Sequence, residues 1–351
     1  MKRKKTAPVE IGDITIGGKN PIVVQTMTKT YTADVNATLK QINDIVLFGC
    51  KLVRLAVPDY ESAYAIKKIK QKVKIPIIAD IHFDYKLAIE SIKNGADKIR
   101  INPANIQDEK KIVEIIKTAK EYNVAVRIGL NSGSYKKKLE NPKKVILSQA
   151  EKFISLFEKY NFKKIVISAK TTDVLSTVEI YQILSEKYKY PLHLGITEAG
   201  PLLQGSIKSA IGIGILLWQG IGDTIRVSLT SSPIDEVKAG YYILQSLNLA
   251  KYGIDLISCP TCGRCQVNLI KLVEDFENEI KKRNLYLKLK DKNLKVAIMG
   301  CEVNGPGEAS SADVGIAMGK NFGVLFLKGK IIKKISFEEC ISELITQILK
   351  L

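Results

Sequence analysis

Short apolar runs of strand-forming residues recur eight times in the first 230 residues, and each gap between them is wide enough for a helix. The runs cover 23–27, 52–57, 76–81, 98–101, 124–130, 164–169, 191–197 and 224–229. Helical spacing of apolar residues marks 60–71, 85–94, 107–122, 148–160 and 177–188 between them. Strand–helix alternation implies parallel strands joined by helical crossovers. Eight such units in about 240 residues match a closed (β/α)8 TIM barrel. An open doubly wound sheet is the alternative. No Gly-rich dinucleotide fingerprint follows the first run, which argues against that alternative.

Barrel enzymes place their chemistry at the carboxyl ends of the strands. Here those ends carry Gln25, Arg54, Asp80, His82, Arg100, Asn102, Arg127, Asn131, Lys170, His193, Glu198, Arg226 and Ser228. Side chains two apart on a strand share a face, so Asp80 goes with His82, Arg100 with Asn102, and Arg226 with Ser228. Arg and Lys are rarely buried unless paired. Each cation alone could belong to a structural ion pair. Arg54, Arg100, Arg127, Lys170 and Arg226 converging on one rim would instead make a pocket for phosphate, which Arg binds bidentately.

A helix over 234–247 closes the barrel pattern, and a different pattern follows. A helix is expected over 266–283, strands over 295–299 and 322–327, and a terminal helix over 337–351, with 284–293 irregular or at an edge. The chain therefore divides into a barrel, 1–250, and a small α+β domain, 251–351. The second domain opens on Cys259-Pro-Thr-Cys262-Gly-Arg-Cys265, and Cys301-Glu-Val-Asn-Gly-Pro-Gly-Glu308 follows later. Four of the six cysteines thus lie close together. Clustered thiolates are soft ligands and point to a metal. A zinc ribbon usually supplies two CxxC pairs, whereas CxxCxxC with one remote cysteine is nearer to iron–sulfur spacing. Cys259, Cys262 and Cys301 combine with either Cys265 or Glu308. A carboxylate ligand would leave one iron exchangeable. Cys50 and Cys340 fall in helical stretches and are expected to be small core residues.

The basic N-terminus leads into no apolar signal region, and the longest apolar stretch, 210–221, is interrupted by Gly212, Gly214 and Gln219. Neither export nor membrane insertion is expected, and the cytoplasm suits free thiolates. The net charge of +18 raises nucleic-acid binding. Lysines are scattered over every expected helix, as at Lys67-Lys68 and Lys110-Lys111, and aromatics are only 7%. Solvated helix faces and anionic substrates or partners explain that distribution better. Two other readings compete: a dihydropteroate-synthase-like transferase with a structural metal domain, and a basic nucleic-acid protein with a zinc module. The first leaves the cysteines and Glu308 unexplained, and the second leaves the polar strand ends unexplained.

Ten segments in one order resemble the 4-hydroxy-3-methylbut-2-enyl diphosphate synthase family. Among them are Pro21-Ile-Val-Val-Gln-Thr-Met-Thr28, Ala79-Asp-Ile-His-Phe-Asp-Tyr85, Lys98-Ile-Arg-Ile-Asn-Pro103, Arg127-Ile-Gly-Leu-Asn-Ser-Gly133, Pro191-Leu-His-Leu-Gly-Ile-Thr-Glu-Ala-Gly200 and both cysteine segments. The resemblance implies a barrel followed by an iron–sulfur domain. It implies a [4Fe–4S] cluster on Cys259, Cys262, Cys301 and Glu308, with Cys265 not a ligand. It also implies reduction of 2-C-methyl-D-erythritol 2,4-cyclodiphosphate to 4-hydroxy-3-methylbut-2-enyl diphosphate in isoprenoid synthesis. The implied electron donor is a flavodoxin or ferredoxin, and the implied assembly is a head-to-tail homodimer. Arg54, His82, Arg100, Arg127, Asn131, Lys170, Arg226 and Ser228 match substrate-binding positions. Glu198 and Asp80 are the expected handlers of hydroxyl protons, and Glu308 the exchangeable ligand. Two departures stand out. Ala104 replaces the family's Gly in the loop after the fourth strand, and Lys29 replaces its Asn, which adds a cation near the rim.

Overall fold

The structure, a computed structural model, describes residues 2–134, 141–301 and 309–351. It divides into two compact units, Met1–Ala250 and Lys251–Leu351. The first opens with a hairpin, β1 (Val9–Ile11) and β2 (Ile14–Ile16), turned by Gly12 at φ 58°. Eight strands follow: β3 (Val23–Met27), β4 (Leu52–Ala56), β5 (Ile77–Asp80), β6 (Lys98–Ile101), β7 (Ala125–Asn131), β8 (Ile165–Lys170), β9 (His193–Leu194) and β10 (Thr224–Ile225). Their order is β8-β7-β6-β5-β4-β3-β10-β9, with every pairing parallel. A parallel bridge from Ile167 to Leu192 joins the two end strands and closes the ring. The expected (β/α)8 barrel is the fold.

The helices are α1 (Val35–Leu47), α2 (Tyr60–Lys70), α3 (Tyr85–Lys93), α4 (Glu109–Glu121), α5 (Pro142–Lys159), α6 (Val174–Lys187), α7 (Leu202–Trp218) and α8 (Pro233–Ser246). Five start alike. Asp34, Asp59, Asp84, Asp108 and Asp173 each accept a backbone N–H of the first turn of α1, α2, α3, α4 and α6. Such caps are worth about 1 kcal/mol each and fix where a mouth loop ends and its helix begins. The apolar pattern does not mark α7, because both of its faces are apolar. Ile213, Leu216 and Leu217 are buried, while Leu203, Ile207, Ile211 and Trp218 are exposed. With no contrast between faces, the helical period is invisible.

The hairpin stoppers the amino end of the barrel. Val9, Ile11 and Ile16 pack on Val23, Leu52, Ile78, Ala125 and Val166, which project inward from five strands. That closed apolar floor leaves the barrel interior accessible only from the carboxyl ends of the strands.

The second unit is a five-stranded sheet in the order β11-β12-β13-β14-β15. Its strands are β11 (Gly253–Ser258), β12 (Asn293–Met299), β13 (Val314–Met318), β14 (Phe322–Leu327) and β15 (Lys330–Ser336). The first three run parallel and the rest antiparallel. α9 (Leu269–Lys282) and α11 (Cys340–Lys350) supply Leu272, Phe276, Ile280, Leu344 and Ile348 to a core with Val296, Ile298 and Ile316. The segment expected to be irregular holds a short helix, α10 (Leu285–Lys288). Three strands, β11, β13 and β15, escape the sequence pattern, the last two for opposite reasons. β13 is buried throughout and shows no alternation, whereas β15 is a Lys-rich edge strand, a common guard against edge pairing. Cys50 lies just past α1 rather than within it, and burial pushes its thiol up to about 12. No helix among the described residues is long and apolar enough to cross a membrane.

Candidate active site

Strand geometry assembles the site. Asp80 and Arg100 are register partners on β5 and β6, and Arg100 and Arg127 on β6 and β7. Asn131 and Lys170 pair at the ends of β7 and β8. A cavity of about 140 Å³ opens there, lined by Arg54, Asp80, His82, Arg100, Arg127, Asn131, Lys170, Arg226 and Ser228. All eight residues expected to bind substrate therefore meet in one place. Leu130, Ser168 and Thr197 line it too, and the sequence had not singled them out. Two glycines make room for the cations. A Cβ on Gly129 would lie 2.2 Å from Arg100 Nε, and one on Gly195 would lie 2.6 Å from Lys170 Nζ.

The cations fall into two classes. Asp80 tethers Arg100, whose Nη1 donates to Oδ1 at 3.2 Å, and sits 3.8 Å from Arg54 Nε. Glu236, from the first turn of α8, tethers Arg226 through Nε at 3.3 Å and Nη2 at 3.2 Å. Among the described residues, Arg127 and Lys170 pair with no carboxylate. Burial, then Arg127, Arg226, Arg54 and Arg100, push the Lys170 ammonium well below the usual lysine range. An anion is what this cavity lacks. At close range in a poorly solvated site, such attraction is strong.

Asp80, expected to handle protons, lies against Arg54, Arg100 and His82. Burial raises its pKa, but Arg54, Arg100, a hydrogen bond with His82, and Arg127 outweigh burial and hold it well below the usual carboxylate range. At neutral pH it is an anionic tether. Glu198 stands apart: it is exposed, outside the cavity lining, and its backbone is left-handed at φ 51°. That conformation is uncommon for a residue other than Gly, Asn or Asp. Its Oε1 lies 2.8 Å from where a Gly133 Cβ would project, at the rim beside Asn131.

Some strand-end residues face elsewhere. Asn102 accepts from Ala104 N–H and shapes the loop after β6. Ala104 does not adopt positive φ, so the missing glycine costs this loop nothing. Gln25 and His193 are fully buried inside the barrel, away from the cavity lining. Lys98 joins them. It precedes Arg100 by two residues on β6, so it points inward about 7 Å deeper. Gln25 Oε1 and Nε2, Lys98 Nζ, Arg127 Nε and Nη1, and His193 Nε2 are buried without hydrogen-bond partners among the described residues. Burial, then Arg127 and Arg54, hold the Lys98 ammonium well below its ordinary range. Lys29 is turned away from the cavity: its Nζ donates to the Leu229 carbonyl at 2.9 Å and to that of Ser231.

In the second unit, parallel pairing of β11 and β12 brings the segments carrying Cys259 and Cys301 to the same edge of the sheet. Gly300 N–H donates to Cys259 Sγ at 3.3 Å, and Gly300 carbonyl accepts from Gln266 N–H at 3.1 Å. A Cβ on Gly300 would lie 2.4 Å from Cys265 Sγ and 3.5 Å from Cys259 Sγ. Thus Gly300 leaves a cradle for sulfur. Cys265 N–H closes the CxxC turn on Cys262 carbonyl, and Cys265 Sγ donates to Val267 carbonyl at 3.3 Å. Cys262 is exposed, whereas Cys259, Cys265 and Cys301 are half-buried. Among the described residues no three His, Cys, Asp or Glu side chains close on a common metal position. Glu308 lies outside the described residues. Sulfur ligands of this kind suit a soft metal better than a hard one.

Comparison with known proteins bears on both units. Residues 6–241 match the family model described as the GcpE TIM-barrel domain, and 255–350 match the GcpE protein C-terminal domain. A protein of Caldanaerobacter subterraneus is 52% identical over 99% of this chain and 98% of its own. One of Thermodesulfovibrio yellowstonii is 48% identical over the whole of both chains. Each is named 4-hydroxy-3-methylbut-2-en-1-yl diphosphate synthase (flavodoxin). Among solved structures, dihydropteroate synthase from Stenotrophomonas maltophilia aligns with TM-score 0.53 at 13% identity, over 69% of this chain and 98% of that one. That from Xanthomonas albilineans with 4-aminobenzoic acid gives 0.52 at 13%, over 70% and 98%. At such identity the likeness is one of barrel fold alone.

Proposed function

This chain belongs to the GcpE family, the 4-hydroxy-3-methylbut-2-en-1-yl diphosphate synthases, and on that premise we propose how its residues serve the reaction. The family enzyme is an oxidoreductase of isoprenoid synthesis. The substrate in this reading is 2-C-methyl-D-erythritol 2,4-cyclodiphosphate, bound in the cavity at the barrel mouth. The observation that carries the reading is the cavity itself: five cations converge there, and among the described residues the only carboxylates paired with them are Asp80 and Glu236. A compact cyclic diphosphate brings the two negative charges the cavity lacks. Arg127 and Lys170 face it without a carboxylate of their own, while Arg54, Arg100 and Arg226 are held in orientation by their tethers. Asn131, Ser228 and His82 add polar groups at the same surface.

Two electrons enter, a ring carbon–oxygen bond breaks, and one oxygen leaves as water after taking a proton. Of the two carboxylates expected to move protons, Glu198 suits the role. It is exposed at the rim and forms no ion pair among the described residues, whereas Asp80 is bound to guanidinium groups. Cys259, Cys262 and Cys301, with Glu308 as fourth ligand, would hold a [4Fe–4S] cluster; the family resemblance leaves Cys265 out of that set. When bound, such a cluster supplies electrons and a Lewis-acidic iron. Flavodoxin, named for the relatives, or a ferredoxin would deliver the electrons. A second copy arranged head to tail is the proposed assembly, and Leu203, Ile207, Ile211 and Trp218 of α7 offer apolar surface that an oligomer could cover.

The test is anaerobic purification with iron and sulfide analysis, followed by turnover of the cyclic diphosphate with reduced flavodoxin. Iron and sulfide in equal amounts and release of the linear diphosphate are expected. A colourless protein carrying one zinc per chain would sink the reading.

A further inference from the structure

Glu236 lies outside the cavity, yet it is the most heavily engaged carboxylate around it. It is fully buried. Its Oε1 accepts from Leu229 N–H at 3.1 Å and Arg226 Nη2 at 3.2 Å, and stands 3.7 Å from Lys29 Nζ. Its Oε2 accepts from Thr26 Oγ1 at 2.6 Å and Arg226 Nε at 3.3 Å. On this one carboxylate β3, some 200 residues away in sequence, therefore meets α8 and the strand end that leads into it.

Helix packing explains why it lies there. A Cβ on Gly240 would come within 2.9 Å of Val24 Cγ1, so α8 touches β3 at that point. One helical turn earlier along α8 is Glu236, and two residues further along β3 is Thr26, which points to the same side of the strand as Val24. The close Gly240 contact thus sets the Thr26–Glu236 hydrogen bond. Arg226 then uses Nε and Nη2 on the carboxylate, and Nη1 has no hydrogen bond among the described residues.

We propose that Glu236 is a positioning residue for anion binding: it locks the Arg226 guanidinium in the orientation that presents Nη1 to a phosphate group of the ligand. It does so without touching the ligand itself. Thr26 fixes the carboxylate from below, and Leu229 N–H ties it to the loop that carries Ser228. The proposal rests on the cyclic diphosphate reading of the cavity.

The alternative role, plain charge neutralisation, predicts the opposite sign. Removing a buried negative charge next to an anion site strengthens attraction for an anion. Losing a positioning group weakens binding. Glu236→Gln separates the two. With the cluster-loaded enzyme, calorimetric titration of the cyclic diphosphate is expected to show Kd raised about tenfold, a factor typical of losing one charge-assisted contact. KM should rise in parallel, with kcat at saturation within about twofold, as for lost binding common to ground and transition states. An unchanged or lowered Kd in a protein with wild-type melting overturns the proposal.

Because Gln at a buried ion pair can unfold the barrel, Thr26→Val is the second variant. It removes only the hydroxyl donor and changes no charge. A Kd increase of about threefold is expected, smaller than that of Glu236→Gln because the Arg226 contacts to the carboxylate remain, and no increase overturns the proposal. Inorganic diphosphate is titrated alongside. If the wild type binds inorganic diphosphate but not the cyclic compound, the functional reading fails while the Glu236–Arg226 arm is still judged by the same shift.

Discussion

The two units of this protein treat polarity in opposite ways. Every buried polar or charged side chain among the described residues lies in the barrel, from Gln25 to Gln245. The second unit buries an apolar core of Leu, Ile, Val, Phe, Met, Ala and Cys. In the barrel, functional groups stand on strands and are held by tethers built into the interior. In the second unit, the sulfurs hang from loops past the ends of β11 and β12, half-buried or exposed. A site on strands is preorganised before its ligand arrives, whereas thiolates on loops are brought to final geometry by the metal they bind. The barrel spends stability on unpaired cations, and the second unit spends order on its ligands.

Separating the two sites is the largest effect available. Cys301→Ser is expected to abolish iron incorporation and turnover, yet leave diphosphate binding to the barrel within twofold by calorimetry. Loss of both together would show that the barrel pocket is not preorganised by itself. Next in size is the central tether. Asp80→Asn leaves the Arg54 and Arg100 guanidinium groups without their carboxylate, a change that typically costs about 3–5 kcal/mol. In a domain of this size that lowers Tm by about 2–4 °C per kcal/mol. A melting point within a degree of wild type would mean the tether carries little energy.

The buried lysines make a prediction about pH. Lys98 and Lys170 have folded pKa values well below the ordinary lysine value of about 10.4. Between the folded and unfolded values, the unfolded chain binds more protons than the folded one. Stability of the ligand-free protein therefore rises as pH climbs from the depressed folded value toward the unfolded one. Lys98→Met should flatten that rise in Tm, and an unchanged slope would show that Lys98 keeps its charge. A bound dianion favours protonated Lys170, so stabilisation by ligand should be greatest at the lower end of the same range. The smallest effects belong to residues at the edges of the two sites. Cys265→Ser should keep iron content and turnover within about twofold, and loss of iron would put Cys265 back among the ligands. Lys29→Asn should alter diphosphate affinity by less than about threefold, because Lys29 is itself exposed and its Nζ stands 3.7 Å from Glu236, held by backbone carbonyl groups outside the cavity lining.

Much of this arrangement was legible before folding. The eight strands, the five cations at their ends and the sulfur cluster follow from local pattern, since strand period and ligand spacing are short-range properties. α7 and β13 were not legible, because each lacks a polar face to reveal its period. Glu236 was invisible for another reason. It reads as an ordinary acidic residue in the first turn of a helix, and its partner Thr26 lies 210 positions away. The fate of Lys29 was equally hidden: its sequence position predicts a rim cation, while the carbonyl groups of Leu229 and Ser231 draw it away.

By itself, then, the amino-acid sequence determined the barrel, the cations at its strand ends and the grouping of cysteines in the second unit. Only the tertiary structure decided which cations are tethered and which are free, that Asp80 is an anchor while Glu198 stays accessible, and that Lys98 and His193 are sealed inside. The physical reason is range. Chemical type and periodicity are written locally, but charge state and orientation are fixed by neighbours that only the closed ring of strands brings together.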